Sequence, residues 1–189
     1  MKSVSPEAAL ERLKAGNARY VDGESEWEGL ETEQIAAHKA GQNPYAIVLS
    51  CADSRVPVEH VFDAGVGEVF VLRVAGNVKT EENMGSAEYA ILALETPLLL
   101  VMGHESCGAV KGALGVEEGQ YPQPLQSLLM GIAEGLPEGA SLPGAVRANV
   151  ERQVALIRSN DVVSKAEAAG TLKVVGAVYD FDTGNVEFL

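Results

Sequence analysis

Two short segments of this 189-residue chain hold both of its cysteines and one of its three histidines. They are Cys51-Ala-Asp53-Ser-Arg55 and His104-Glu-Ser-Cys107. Thiolate, imidazole and carboxylate are the ligands that zinc takes in a tetrahedron. A histidine and a cysteine three residues apart reach one ion from a turn or a helix start. Two thiolates and one imidazole leave a fourth position open. In such Cys₂His sites a bound water loses its proton near neutral pH. With Asp53 as a fourth ligand the same residues make a closed, structural zinc site. Two buried thiols acting as small apolar groups, or a Cys51–Cys107 disulfide, are the other readings of the pair. Arg55 stands two residues from Asp53, and a guanidinium forks readily onto a carboxylate. That pair would hold Asp53 away from the metal and aim it at bound water; an ordinary strand-end ion pair is the plainer alternative.

Both segments need elements that deliver them to one place. Tyr45-Ala-Ile-Val-Leu-Ser50 is a short apolar run between Pro44 and a polar turn, and reads as a buried strand. Val69–Arg73 and Leu98–Met102 read the same way, and Leu172–Tyr179 makes a fourth strand. Val186–Leu189 follows the turn Asp182-Thr-Gly-Asn185 as a short return strand. Apolar residues at helical spacing predict helices over 6–20, 82–95, 124–134 and 144–159, with another at 31–40 ended by Gly41. Ser5-Pro6-Glu7 opens the first with a cap, a proline at the first turn and an acid at the positive end. Strands alternating with helices imply an α/β fold around a mainly parallel sheet. In such sheets sites form beyond the carboxyl ends of strands. Cys51 and His104 both follow strands, so both clusters are expected on one sheet edge. Residues 1–189 read as a single domain, with 115–143, rich in Gly and Pro, as a loop-and-helix excursion.

Charge excludes some partners. The formal net charge is −13, whereas nucleic-acid binders carry basic patches. No apolar run approaches the roughly 20 residues that span a bilayer. The first ten residues lack a charged-then-apolar export pattern. The expected setting is the cytoplasm, or an organelle if a transit segment has been removed.

Ser50-Cys-Ala-Asp-Ser-Arg-Val56, Phe70-Val-Leu-Arg-Val-Ala-Gly-Asn77, Gly85-Ser-Ala-Glu-Tyr-Ala90 and Gly103-His-Glu-Ser-Cys-Gly-Ala-Val110 together closely resemble the β-carbonic anhydrases. The likeness extends to Leu13, Gly16 and Asn17 and to Gly176-Ala-Val-Tyr-Asp180 with Thr183-Gly184. It implies reversible hydration of carbon dioxide to bicarbonate through a zinc-bound hydroxide, with one Zn2+ per chain. It implies Cys51, His104 and Cys107 as permanent ligands, with Asp53 either paired to Arg55 or, in a closed state, on the metal. Gln42 and the Gly108 N–H would donate to substrate oxygens, while Val69 and Tyr89 would line an apolar pocket. Arg73 would be a structural hub, and His38 and His60 match no ligand position. The resemblance further implies a homodimer or dimer of dimers, embraced by the N-terminal helical arm (1–40). Carbonyl sulfide or carbon disulfide hydrolysis on the same scaffold, or non-catalytic zinc or bicarbonate binding, are the rival functions. Val48 stands where some bacterial members carry the tryptophan of an inhibitory bicarbonate site. Ala64 replaces a pocket phenylalanine of plant-type members, and Val66 replaces a frequent proline.

Overall fold

The structure, a computed structural model, describes residues 4–26, 35–36 and 38–189. Its centre is a five-stranded sheet in the order β2-β1-β3-β4-β5. The strands are β1 (Ala46–Ser50), β2 (Val69–Arg73), β3 (Leu98–His104), β4 (Lys173–Tyr179) and β5 (Val186–Phe188). β1 pairs in parallel with β2 and β3, β3 in parallel with β4, and only β5 runs antiparallel. The mainly parallel α/β expectation therefore holds.

Each central strand is buried on both faces, which is why these strands read as continuous apolar runs. Ala46, Val48, Leu98, Leu100 and Met102 face one side. There they meet α1 (Pro6–Asp22) and the short α2 (Val58–Val61) through Leu13, Val58 and Phe62. Ile47, Leu49, Leu99 and Val101 face the other. That side is covered by α3 (Glu81–Ala93), α6 (Leu142–Arg158) and α7 (Asp161–Ala168). A smaller cluster joins Cys51 and Cys107 to α4 (Gly108–Ala113), to Ile132 of α5 (Leu125–Ala133) and to Val146 of α6. Each large side chain fully buried in this way contributes about 1.5–3 kcal/mol.

α1 docks against its own chain. A Cβ at Gly16 would lie 2.0 Å from the Phe62 carbonyl oxygen, so only glycine permits this approach. The next residue, buried Asn17, donates to the carbonyls of Val61 (3.1 Å) and Gly184 (2.9 Å) and accepts from the Val186 N–H (2.9 Å). One amide thus ties the helix to α2 and to the C-terminal hairpin.

The structure departs from the sequence expectations in a few places. β3 runs on to His104, so this ligand ends the strand instead of following it. The apolar run stops at Met102, but the backbone ladder continues with Gly103 opposite Val178 and His104 opposite Tyr179. α2, α4 and α7 were not expected: α2 and α4 are a turn or two long, and α7 fully buries only Val163, leaving no stripe to detect. The helix expected at 31–40 lies largely outside the described residues; 38–40 form a turn.

Candidate metal centre

β1 and β3 are neighbours with Ser50 opposite Met102, so Cys51, the first residue beyond β1, stands level with Gly103 of β3. His104 is one step further, on a strand about 4.8 Å away. Ser106 then takes a left-handed conformation (φ 55°), which turns the chain so that Cys107 faces back as the residue capping α4. The ligand atoms of Cys51, His104 and Cys107 all lie within 4.8 Å of one another, and all three residues are buried. Among the described residues they form the one such cluster; His38 and His60 stay outside it.

These three residues fit a zinc ion. Bonds of about 2.0–2.3 Å in a tetrahedron require ligand atoms that converge at this spacing. His104 Nδ1 is within 2.8 Å of the Glu105 carbonyl, which leaves Nε2 as the ligand nitrogen. That Nε2 is fully buried with no hydrogen-bond partner, a costly state unless it binds something. Both cysteines are free thiols, which sets the disulfide reading aside. A hydrogen bond from Cys107 pulls the Cys51 thiol well below its usual range against the effect of burial, helped by His104 and by the N–H groups of Gly76 and Asp53. Its partner is pushed up, because the Cys51 sulfur and burial both hold the proton on Cys107. A pair that gives up one proton so readily is prepared for a cation.

The carboxylate stands beside this cluster and outside it. Asp53 Oδ1 accepts from the Arg55 N–H (2.9 Å) and Nε–H (3.0 Å), and Oδ2 from the guanidinium NH₂ (2.8 Å). These bonds, the guanidinium pair foremost, hold Asp53 well below the usual carboxylate range. Oδ2 is 3.8 Å from His104 Nε2. This is the paired arrangement of the dyad, not the closed one. Arg73 is the hub expected of it: Nε donates to the Cys51 carbonyl (3.1 Å) and NH₂ to that of Asp53 (2.6 Å).

The remaining expected residues are placed differently. Gly108 is exposed at the first turn of α4, where helix N–H groups have no intrahelical acceptor. Gln42, Val69 and Tyr89 do not reach this cluster within the chain. Val69 is opposite Ala46 at the amino end of the sheet, four strand residues or about 13 Å from the edge that bears Cys51. Gln42 is exposed just before β1, and Tyr89 is 52% exposed on α3 with its ring 6.4 Å from that of Phe70.

Gly76, the Asn149–Gln153 pair and Phe181 support the site from outside the ligand set. The Gly76 N–H donates to Cys51 Sγ at 3.3 Å from a 3₁₀ turn (Ala75–Asn77) in which Gly76 has φ 70°. The Gly76 carbonyl accepts from Asn149 Nδ2 (2.9 Å), and Gln153 Nε2 donates to Asn149 Oδ1 (3.1 Å). Asn149 and Gln153 occupy core positions of α6 and are legible as polar interruptions of its apolar stripe. Phe181 lies against both Arg55 and His104.

Comparison with known proteins agrees with this geometry. The family model described as carbonic anhydrase matches residues 46–186. Carbonic anhydrase 2 of Mycobacterium tuberculosis is 36% identical over 97% of this chain and 93% of its own length. A carbonic anhydrase of Mycolicibacterium smegmatis is 37% identical over 99% and 95%. Among solved structures, a Coccomyxa β-carbonic anhydrase in complex with acetazolamide superposes with a TM-score of 0.73 at 29% identity, covering 100% of this chain and 87% of that one. With Cys51, His104 and Cys107 gathered as a zinc ligand set, and with likeness along nearly its whole length, the chain belongs to the β-carbonic anhydrase family.

Proposed function

We propose that this protein hydrates carbon dioxide reversibly to bicarbonate and a proton, with one zinc ion per chain held by Cys51, His104 and Cys107. The observation that carries the reading is the pairing of an orphaned, buried His104 Nε2 within a three-ligand cluster with a carboxylate clamped just outside it. When bound, the ion would supply a water whose proton is loosened at neutral pH. The protein's own part is orientation and charge. Asp53, kept ionised by Arg55, is an acceptor only. It takes a hydrogen bond from the attacking water and so directs the free lone pair outward, towards the substrate. The Gly108 N–H donates to a substrate oxygen as negative charge grows there. The product proton leaves to buffer.

The substrate pocket is completed by a second copy. Gln42, Val69 and Tyr89 sit away from their own chain's metal cluster: Val69 on β2, Tyr89 beside Phe70 of that strand, and Gln42 just before the neighbouring β1. That strand lies at the sheet edge, is apolar through Val69-Phe-Val-Leu, and is only half-buried in one chain. Exposed Tyr89 and Leu92 extend the same face. A homodimer, alone or doubled, would cover these residues and bring Gln42 as an oxygen-binding donor and Val69 and Tyr89 as apolar walls to the partner's zinc. Both thiols being needed for metal, a reducing cytoplasmic setting suits the site.

Stopped-flow carbon dioxide hydration on protein assayed for zinc, together with sedimentation of the same sample, tests the reading. Zinc-dependent turnover by a dimer or larger species is expected. Absence of turnover at one zinc per chain would overturn the activity, and an active monomer would overturn the shared pocket.

A further inference from the structure

Phe181 lies outside every recognised motif of the site, just beyond the end of β4. The Arg55 guanidinium carbon is 4.5 Å from the centre of its ring. The His104 ring centre is 5.2 Å away, inclined at 40°. Tyr179 braces Phe181 edge-on at 5.5 Å. The Phe181 N–H donates to Glu105 Oε1 at 2.9 Å, and the carbonyl of the same Glu105 meets His104 Nδ1 at 2.8 Å. One residue therefore fixes both the imidazole and the aromatic plate beside it.

Arg55 needs such a plate. Its side chain is 55% exposed, and a long side chain at that exposure loses much rotamer entropy when it is held in one pose. The guanidinium hydrogen bonds go to Asp53, while its central carbon lies over the ring. Stacking on an aromatic face selects the orientation in which the planar fork presents both donors to one carboxylate. Asp53 Oδ2 is 3.8 Å from a ligand nitrogen, so a modest swing of the carboxylate takes it onto the metal. We propose that Phe181 is a positioning residue: its ring holds the Arg55 guanidinium in the pose that keeps Asp53 off the metal and facing the substrate. This rests on the role given to Asp53 above.

The test uses the zinc-loaded full chain with Phe181→Leu, which removes the ring, and Phe181→Tyr, which keeps it. Three quantities are read: zinc per chain with thermal midpoint, hydrogen exchange of the Arg55 Nε–H by ¹⁵N NMR (assigned with Arg55→Lys), and carbon dioxide hydration. Phe181→Leu should keep one zinc per chain, lose about fivefold in Arg55 Nε–H protection and lose about fivefold in kcat with KM unchanged, the scale of a cation–π contact at an exposed site. Phe181→Tyr should retain both. Unchanged protection and kcat in Phe181→Leu overturn the proposal whatever the midpoint does. So does a kcat loss that tracks lost zinc or that Phe181→Tyr shares, since either marks a packing role. In the unmutated protein the ring face must also move the Arg55 Nε–H proton upfield; an unshifted resonance overturns the proposal without any variant. A protein inactive towards carbon dioxide, yet with ring-dependent protection of Arg55, would sink the proposed function and leave the clamp standing.

Discussion

Asp53 faces His104 across 3.8 Å without joining it, because Arg55 holds both carboxylate oxygens from the other side. The two residues divide the work. His104 contributes a buried nitrogen with no other partner, and Asp53 contributes a charge kept ionised and directed.

Replacing Asp53 by Asn keeps the shape and one acceptor but removes the charge and the fork. Zinc content should stay at one per chain while kcat falls about 100-fold or more, the usual scale for a positioned acid–base group. Zinc analysis with stopped-flow hydration checks both, and near-normal kcat would remove Asp53 from the mechanism.

Cys107→Ser should lose metal and stability together. A resident ion at about 1,000 times its dissociation constant stabilises a fold by roughly 4 kcal/mol. For a domain of this size that corresponds to about 10 °C in the thermal midpoint. Calorimetry of the variant should match that of the unmutated protein stripped with a strong chelator; retained stoichiometric zinc would contradict the ligand set.

Tyr45 gives the fold an alkaline limit. Burial pushes its phenol up to about 12, offset only in part by the Arg12 guanidinium over its ring. The fold thus prefers the neutral phenol. Its contribution is complete below pH 10, the unfolded value, and is lost as pH rises from 10 towards 12, about 3 kcal/mol in all. Urea denaturation between pH 9 and 12 should show this slope, and Tyr45→Phe should flatten it.

Gly16→Ala sets a new methyl 2.0 Å from the Phe62 carbonyl oxygen, which is backbone and cannot step aside. α1 must lift, loosening the three Asn17 hydrogen bonds behind it. A loss of about 2–3 kcal/mol in urea denaturation is expected, with zinc stoichiometry unchanged.

The sequence was most informative where chemistry and burial coincide. Cys51, His104 and Cys107 were legible because their side-chain types are rare in this chain and follow apolar runs. Val69–Arg73 was legible to the residue because its apolar run is bounded on both sides. Elements whose pattern is weak were not: α4 is six residues with two glycines, and α7 fully buries one side chain. Phe181 could not be read as part of the site, since an isolated aromatic after a strand looks like core. Its contact with Arg55 spans most of the chain and exists only once β4 has paired with β3. Gln42, Val69 and Tyr89 came from resemblance alone, and a single chain leaves them far from the metal.

The order in which the pieces arise during synthesis follows from the topology. The three residues of the ligand set lie between positions 51 and 107: Cys51 just after β1, His104 at the end of β3 and Cys107 at the start of α4, with β1 and β3 paired directly. Phe181 and β4, the strand that flanks β3, follow later in the chain. The ligand set is therefore synthesised well before the aromatic plate that lies beneath Arg55, and the strand pairing that sets His104 against Tyr179 joins the two halves of the site.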